Sequence, residues 1–408
     1  MTISPAEHPT RPAEDFIVWA RENRPWLREN EAEAERQRRV PQQNIEELDG
    51  AGFFSLTTPA RFGGADLSTR ELHDIYRSLA SGCGATAWVL WAAAGGNLWS
   101  YAFGDDVMAS VYETPWVGNR TFALGGASRR MSGKARPVED GWMIEGVWPF
   151  ATGSVHASHG YLAAVYDDAD DSKVGMALVP KDQLVVRGEW DAMGLAATGS
   201  QTVATKGELF IPGKHFSTPG QLRARLEEAT GQGAGPRRGG LVRSVVTGTG
   251  LALGMADHAM EVYLDAVGTR SLPYSRYAQA VDAPQTHHAV GLAHMRIRAA
   301  GTVADAAVCA LDICDLDQRD LTAREGEQFH TDVAHVWHEC ADAVEGLFKA
   351  SGASAIAKHQ PLQLIARNCR AGSLHAAYNI DTWLENIGRS LCGSESAEIS
   401  TSVLEQNN

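Results

Sequence analysis

Apolar positions recur every three or four residues from Glu14 to about Phe103. Phe16, Trp19 and Ala20 set one stripe, and Ile45, Leu48, Ala51 and Phe53 set another. Gly52 marks a helix end, and Pro59 with Gly63 and Gly64 breaks the chain before a helix predicted to start at Ser68, with Glu71 completing a capping box. Residues 1–118 thus form a helical region. From Arg120 to Pro212 the pattern shortens to GWMIEGVWPF, GYLAAVY, VGMALVP, LVVRGEW and KGELFIP, separated by glycine or acidic turns, which predicts a β domain over 119–216. The Gly-, Pro- and charge-rich stretch 217–240 reads as a mobile connection. Helical spacing returns in four alanine-rich segments, 241–268, 284–316, 326–351 and 361–391, predicting a four-helix bundle over 241–393 and a polar tail over 394–408.

Composition narrows the classes. With 408 residues, 44% hydrophobic and 21% charged, the chain buries a sizeable core. Thirty-six basic against 50 acidic residues, a net charge of -14, argues against general affinity for nucleic acid or an anionic membrane. The six cysteines (Cys83, Cys309, Cys314, Cys340, Cys369, Cys392) form no C-x-x-C and read as reduced core thiols. The first thirty residues lack an apolar signal region, and no run reaches the ~20 apolar residues of a membrane span. A cytoplasmic protein is expected. Eleven tryptophans suit an aromatic-lined pocket, although core packing uses them as readily.

The common catalytic signatures are missing: no G-x-x-x-x-G-K-[ST], no strand-to-helix G-x-G-x-x-G, no G-x-S-x-G and no H-E-x-x-H. The pairs His287–His288 and His335/His338 lack the carboxylates of a di-iron helix pair, so no metal is expected.

Four segments in order carry a family resemblance. GFFSLTTPARFGGADLSTRELHDIYRSLASGCGATAW, GWMIEGVWPFATGSVHASHGYLAA, WDAMGLAATGSQTVATKGELFIP and TRSLPYSRYAQAVDAPQTHHAVGLAHMRIRAA together resemble the acyl-CoA dehydrogenase fold from about Ile45 to Gly393. The resemblance implies a mainly α chain with a central β domain: an N-terminal helical domain, a middle β-barrel domain and a C-terminal four-helix bundle. It also implies a flavin between the β domain and the bundle, FAD used as FADH2 with FMN as the alternative. Trp148, Phe150, Ala151 and Thr152 would line its ring, with Thr152 where the family usually has serine. Thr198 and Ser200 would offer hydroxyls, and Arg270, with Tyr274 close by, would reach the phosphates from a neighbouring subunit of a homotetramer or dimer.

The segment RNCRAGSLHAAYNIDTW separates the branches of that fold. Aligning Arg367 and Arg370 with the dehydrogenase motif puts Ala376 where the proton-abstracting glutamate stands, and alanine is no base. The segment is instead similar to two-component flavin monooxygenases. That likeness gives His375 the task of accepting a substrate proton or hydrogen-bonding a C4a-hydroperoxyflavin. Asn379 would share a helix face with His375, Asp381 lies six residues on, and Asn97 takes the place of a histidine found in related oxygenases. Trp88, Trp91 and Trp99 are candidate pocket walls. The expected protein is an oxygenase component that receives reduced flavin from a separate NAD(P)H-dependent reductase. With O2 it would hydroxylate a hydrophobic aromatic, indole- or phenol-like substrate, in natural-product biosynthesis. An amino-sugar N-oxygenase, an acyl-CoA dehydrogenase with a relocated base and a flavin-free binding protein are the alternatives.

Overall fold

The computed structural model describes residues 12–124, 133–166, 173–231, 237 and 239–394. Six helices open the chain: α1 (Ala13–Glu22), α2 (Arg24–Gln37), α3 (Gln42–Gly50), α4 (Thr69–Ala80), α5 (Gly84–Asn97) and α6 (Asp105–Tyr112). Helix α4 begins where its capping box predicts. Ser68 Oγ accepts from the Glu71 amide at 3.2 Å, and the Glu71 carboxylate accepts from the Ser68 amide at 2.7 Å. Helix α5 is buried over almost its whole circumference, as an all-round apolar sequence requires.

The β domain is two sheets over one core. Its strands are β1 (Thr121–Leu124), β2 (Gly133–Val138), β3 (Gly141–Glu145), β4 (Val147–Ala151), β5 (His159–Val165), β6 (Val174–Pro180), β7 (Val185–Arg187), β8 (Gln201–Ala204), β9 (Leu209–Pro212) and β10 (Phe216–Ser217). One sheet runs β10-β6-β5-β2-β3-β9, with β1 also paired to β5; the other runs β4-β8-β7. Strands β5 and β6 are buried on both faces, and their alternation divides two cores. Leu162, Ala164, Ala177 and Val179 pack with Trp148 and Val203 of the second sheet. Tyr161, Ala163, Met176 and Leu178 pack outward on Trp99, Phe103 and Met108. The run GWMIEGVWPF, read as one strand, is two: β3 pairs with β2 and β9, whereas β4 pairs with β8 in the other sheet.

The connection 217–240 holds a helix, α7 (Pro219–Gly231), rather than only a loose linker. Its Leu222 is buried, and Arg225 donates to the Ala102 carbonyl. Residues 232–236 and 238 of that connection, and the predicted tail from 395, lie outside the described residues. The C-terminal helices are α8 (Gly240–Thr247), α9 (Thr249–Val267), α10 (Pro284–Leu316), α11 (Ala323–Ala350), α12 (Pro361–Ser373) and α13 (Ile380–Leu391). The fourth predicted bundle helix is therefore broken, because a 3-10 turn at Ala376–Tyr378 separates α12 from α13. Four cysteines are buried, but Cys309 and Cys392 are exposed, so the core-thiol reading fails for these two. Among the described residues no helix is long and apolar enough to cross a membrane.

The N- and C-terminal helices share one hydrophobic core. The two sets meet at the crossing of α4 and α9, where Gly250 and Gly254 stand one turn apart. A Cβ on Gly250 would run into the His73 carbonyl oxygen, and one on Gly254 would lie 2.7 Å from Ala80 Cβ and into the Arg77 carbonyl. Helix interiors disfavour glycine by ~1 kcal/mol against alanine, so these two are kept for backbone approach. Below this crossing Glu31 of α2 is buried. Desolvation and then Glu35 push its carboxyl up to about 8, against the smaller opposing pull of Arg28.

Two outcomes follow. Gly250→Ala should lower unfolding free energy by ~1–3 kcal/mol through overpacking, whereas Gly291→Ala, on exposed α10 with open space around it, should be neutral or slightly stabilising; urea denaturation measures both. Glu31 is buried neutral, so the folded state holds a proton that the unfolded state releases. Stability it confers is complete below pH ~4.5 and is lost as pH rises through about 8. Glu31→Gln should therefore gain on the wild type in Tm steadily from pH 5 to 8.5, and a constant difference would refute this.

Candidate active site

Two groups of side chains, one from the β domain and one from the bundle, are both tied to α12. On the β side, strand β4 slips register between Trp148 and Ala151 against β8. The slip puts Phe150 at φ +62° and leaves its ring exposed, edge-on to Trp190 at 5.8 Å. Trp148 and Ala151 point the other way and are fully buried; Trp148 Nε1 donates to the Ala163 carbonyl at 2.9 Å. Trp148 is therefore a core residue of the β domain and cannot line a ligand, contrary to the expectation from its motif. Ala151 has only backbone to offer.

The three predicted hydroxyls do come together. Thr152 Oγ lies 2.7 Å from Ser200 Oγ, which lies 2.6 Å from Thr198 Oγ. Thr198 in turn donates to the Leu195 carbonyl at 2.8 Å. A hydroxyl has one proton, so this terminal bond sets the direction of the whole chain. Ser200 donates to Thr198, Thr152 donates to Ser200, and the half-buried Thr152 keeps only lone pairs for a ligand. The Leu195 amide donates to Asn368 Oδ1 at 2.7 Å, and Arg367 donates to the Met193 carbonyl, so α12 anchors the segment that carries the relay.

On the bundle side α12 ends at Ser373, and His375 follows in an aromatic box. Its ring lies 5.7 Å from Trp88, 5.9 Å from Trp91 and 5.1 Å from Tyr378, with Trp337 stacked on Tyr378 at 5.0 Å. Gly248 admits this packing, because a Cβ there would stand 2.7 Å from the Tyr378 hydroxyl and 3.1 Å from Trp91 Nε1. The Ala377 amide donates to His375 Nδ1 at 3.3 Å, which puts the ring proton of the neutral form on Nε2. Solvent reaches the outer side of His375, but the rings wall its inner side. Burial alone pushes the imidazole down to about 4, with no charged group contributing. The site is thus an N–H donor among indoles, without a carboxylate partner among the described residues.

Other predicted site residues are committed elsewhere. Asn97 is 4% exposed, and its amide is fully used. Its Nδ2 donates to Thr57 and Thr58, and its Oδ1 accepts from Tyr112 and Thr121. It braces α5 and has nothing left for substrate or peroxide. Asn379 does not share a helix face with His375, since it caps α13, its side chain accepting from the Thr382 amide at 3.1 Å. Asp381 is exposed in the first turn of α13, where a carboxylate suits the helix dipole. Trp99 packs in the outer β core rather than in the aromatic box. Arg270 and Tyr274 lie in the connection between α9 and α10. The Arg270 guanidinium sits 5.2 Å from the Tyr263 ring with Nη1 buried and unpartnered, and Tyr274 is wholly exposed at φ +59°. The sequence reading missed Trp337, Tyr378 and Asn368. Trp337 follows the apolar stripe of α11 like any core residue, and only the wealth of tryptophan hinted at a box.

These residues fit a flavin: an exposed aromatic beside the site, a hydroxyl acceptor at the end of a fixed relay, and an orphaned guanidinium of the kind that binds phosphate.

Comparison with known proteins agrees. The model of the acyl-CoA dehydrogenase N-terminal domain matches residues 20–112, and that of the C-terminal domain matches residues 247–380. The chain is 28% identical over 364 residues to the oxygenase subunit HsaA, a flavin-dependent monooxygenase of Rhodococcus jostii, covering 86% of this chain and 92% of the relative. It is 26% identical over 396 residues to the oxygenase component of an FADH(2)-dependent resorcinol hydroxylase of a Rhizobium species, covering 90% and 92%. The structure of XiaF from a Streptomyces species, in complex with FADH2 and glycerol, superposes with a TM-score of 0.85 at 26% identity over 94% of this chain and 96% of that one. The chain thus carries acyl-CoA dehydrogenase N- and C-terminal domains in the acyl-CoA dehydrogenase-like fold, and the relatives that it matches over most of its length are oxygenase components of flavin-dependent monooxygenases.

Proposed function

We propose that this protein is the oxygenase component of a two-component monooxygenase, using reduced flavin from a separate reductase and O2 to hydroxylate a phenol- or indole-like ring. The observation that carries the reading is that Ala376 leaves no carboxylate base at the place where a dehydrogenase of this fold has one, while the neighbouring His375 stands in an aromatic box with its Nδ1 held by the Ala377 amide. Relatives that use reduced flavin support it. When bound, reduced flavin supplies the electrons and, with O2, the transferred oxygen atom. Thr152, left with lone pairs by the relay, would accept from a ring N–H, which reduced flavin has at N5 and the oxidised ring does not. Phe150 covers apolar surface, and the indoles of Trp88 and Trp91 keep water from the reacting centre. His375 would donate a hydrogen bond from Nε2–H to the oxygen of a phenolic substrate and hold the ring in place. FAD is the proposed flavin. Arg270 of a neighbouring subunit would meet its phosphates, with the exposed Tyr274 covered in that assembly.

Thr152→Ala should weaken binding of reduced FAD by ~10-fold while changing that of oxidised FAD little; Thr152→Ser should keep the difference. Anaerobic ultrafiltration of both redox forms decides it, and equal losses for the two would overturn the direction assigned to the relay.

His375→Ala should cut product formed per reduced flavin by ~10-fold, and His375→Gln, which keeps an N–H donor, should retain more. The imidazole stays neutral above a pKa of about 4, so the wild-type yield should be flat from pH 5 to 8 and fall only as pH approaches 4. An inflection near pH 6.5 that vanishes in His375→Gln would show a titrating base instead.

A further inference from the structure

The sequence carries no obvious anchor for an acidic substrate, yet the fold builds one. A narrow cavity between α4, α5 and α8 is lined by Thr57, Tyr76, Trp91, Arg243, Ser244 and Thr247, among others. Arg243 is 9% exposed. Its Nε donates to Thr69 Oγ at 3.2 Å and its Nη2 to the Leu67 carbonyl. A guanidinium has five N–H donors, and the rest have no partner among the described residues. The nearest acids are engaged: Asp312 accepts from the Thr69 and Arg70 amides at 2.8 and 3.0 Å, and Asp315 pairs with Arg237 at 2.7 Å. Burial, and then Arg237, weigh against the charge of Arg243, with Asp315 and Asp312 pulling the other way from beyond contact distance. A buried cation with no carboxylate in ion-pair contact is costly unless something anionic joins it.

A second group points the same way. Tyr76 is 1% exposed, lines the same cavity, and its hydroxyl has no partner. Burial holds the phenol protonated, so it is a donor waiting for an acceptor. The cavity adjoins the reacting end of the site through one residue. Trp91 forms its wall, is fixed by a bond from Nε1 to the Ser244 carbonyl at 2.7 Å, and presents its ring to His375.

We propose that this cavity binds the carboxylate of a small aromatic acid, with Arg243 as the ion-pair anchor and the Tyr76 hydroxyl as a second donor. The assignment rests on the oxygenase reading for what happens to the ring, but the anchor itself is testable without flavin. Phenylacetate and 3-phenylpropanoate, with the matching neutral amides, serve as probes in calorimetric titrations of the full-length protein. The acids should bind ~10- to 100-fold more tightly than the amides. Arg243→Met should erase that preference by weakening the acids alone, Arg243→Lys should restore part of it, and Tyr76→Phe should cost the acids ~3- to 10-fold. Equal affinity for acids and amides, no measurable acid binding to the wild type, or an unchanged ratio in Arg243→Met would each overturn the anchor. If the substituted chains fail to fold, the acid-to-amide ratio of the wild type still decides. Acid-selective binding in a protein that hydroxylates nothing with reduced FAD would leave the anchor standing and defeat the oxygenase reading. Hydroxylation of phenols with no preference for acids would do the reverse.

Discussion

The close approach of α4 and α9 at Gly250 and Gly254 is the constraint on which the site depends. Two helices separated in sequence by the whole β domain touch backbone to backbone there. Interhelical distances are set by the side chains at the contact, and removing them lets every neighbour move inward. Gly248, at the start of the same ridge, gives Tyr378 and Trp91 room to meet. Helix α4 brings Tyr76, α8 brings Arg243, and α5 slides Trp88 and Trp91 between them and His375. The shared core is thus the frame of the pocket as well as the source of stability, and its buried glycines cannot be exchanged for the helix-favouring alanine that surrounds them.

The chemistry of the pocket is organised by neutral hydrogen bonds with fixed direction. The Leu195 carbonyl, an acceptor with no proton to give, orients Thr198, then Ser200, then Thr152. The Ala377 amide, a donor with no alternative, orients the imidazole. Both devices work in low dielectric without a buried ion pair, where an unpaired charge would be far more costly than a hydroxyl. Arg243 is the exception inside this region, and a buried guanidinium with no carboxylate in contact among the described residues is what makes its cavity chemically distinct from the box around His375.

The sequence made the architecture legible because each domain has its own pattern: a three-to-four-residue period in the helices, and short apolar runs bounded by turns in the sheets, as in β5 and β6. It also exposed Thr152, Thr198, Ser200 and His375, which sit in short motifs. It misled at residues whose role depends on direction. Trp148 and Phe150 are two apart on one strand and ought to share a face, but the slip between β4 and β8 turns Phe150 out and leaves Trp148 in. Asn97 looked available because a sequence cannot count the four bonds that exhaust its amide. Arg243 was invisible for the opposite reason. In a stretch crowded with Arg237 and Arg238 it reads as one more solvated cation, and only burial and the lack of a carboxylate partner set it apart.

The break between α12 and α13 explains why a sequence with helical spacing from 361 to 391 does not form one helix. In an unbroken helix the Ala377 amide would bond to the Ser373 carbonyl and be lost to the imidazole. Here the last turn of α12 tightens: the Leu374 amide bonds to the Ala371 carbonyl at 3.2 Å and the His375 amide to the Gly372 carbonyl at 3.0 Å. The chain then leaves the helix at His375, whose backbone is extended at φ -59° and ψ 140°. Ala377 is released to donate to Nδ1, while Asn379 caps the helix that restarts at Ile380. The cost is one interrupted helix, offset by two side-chain caps. What it obtains is a histidine whose tautomer is set by its own backbone, so that no acidic partner is needed to hold the proton on Nε2.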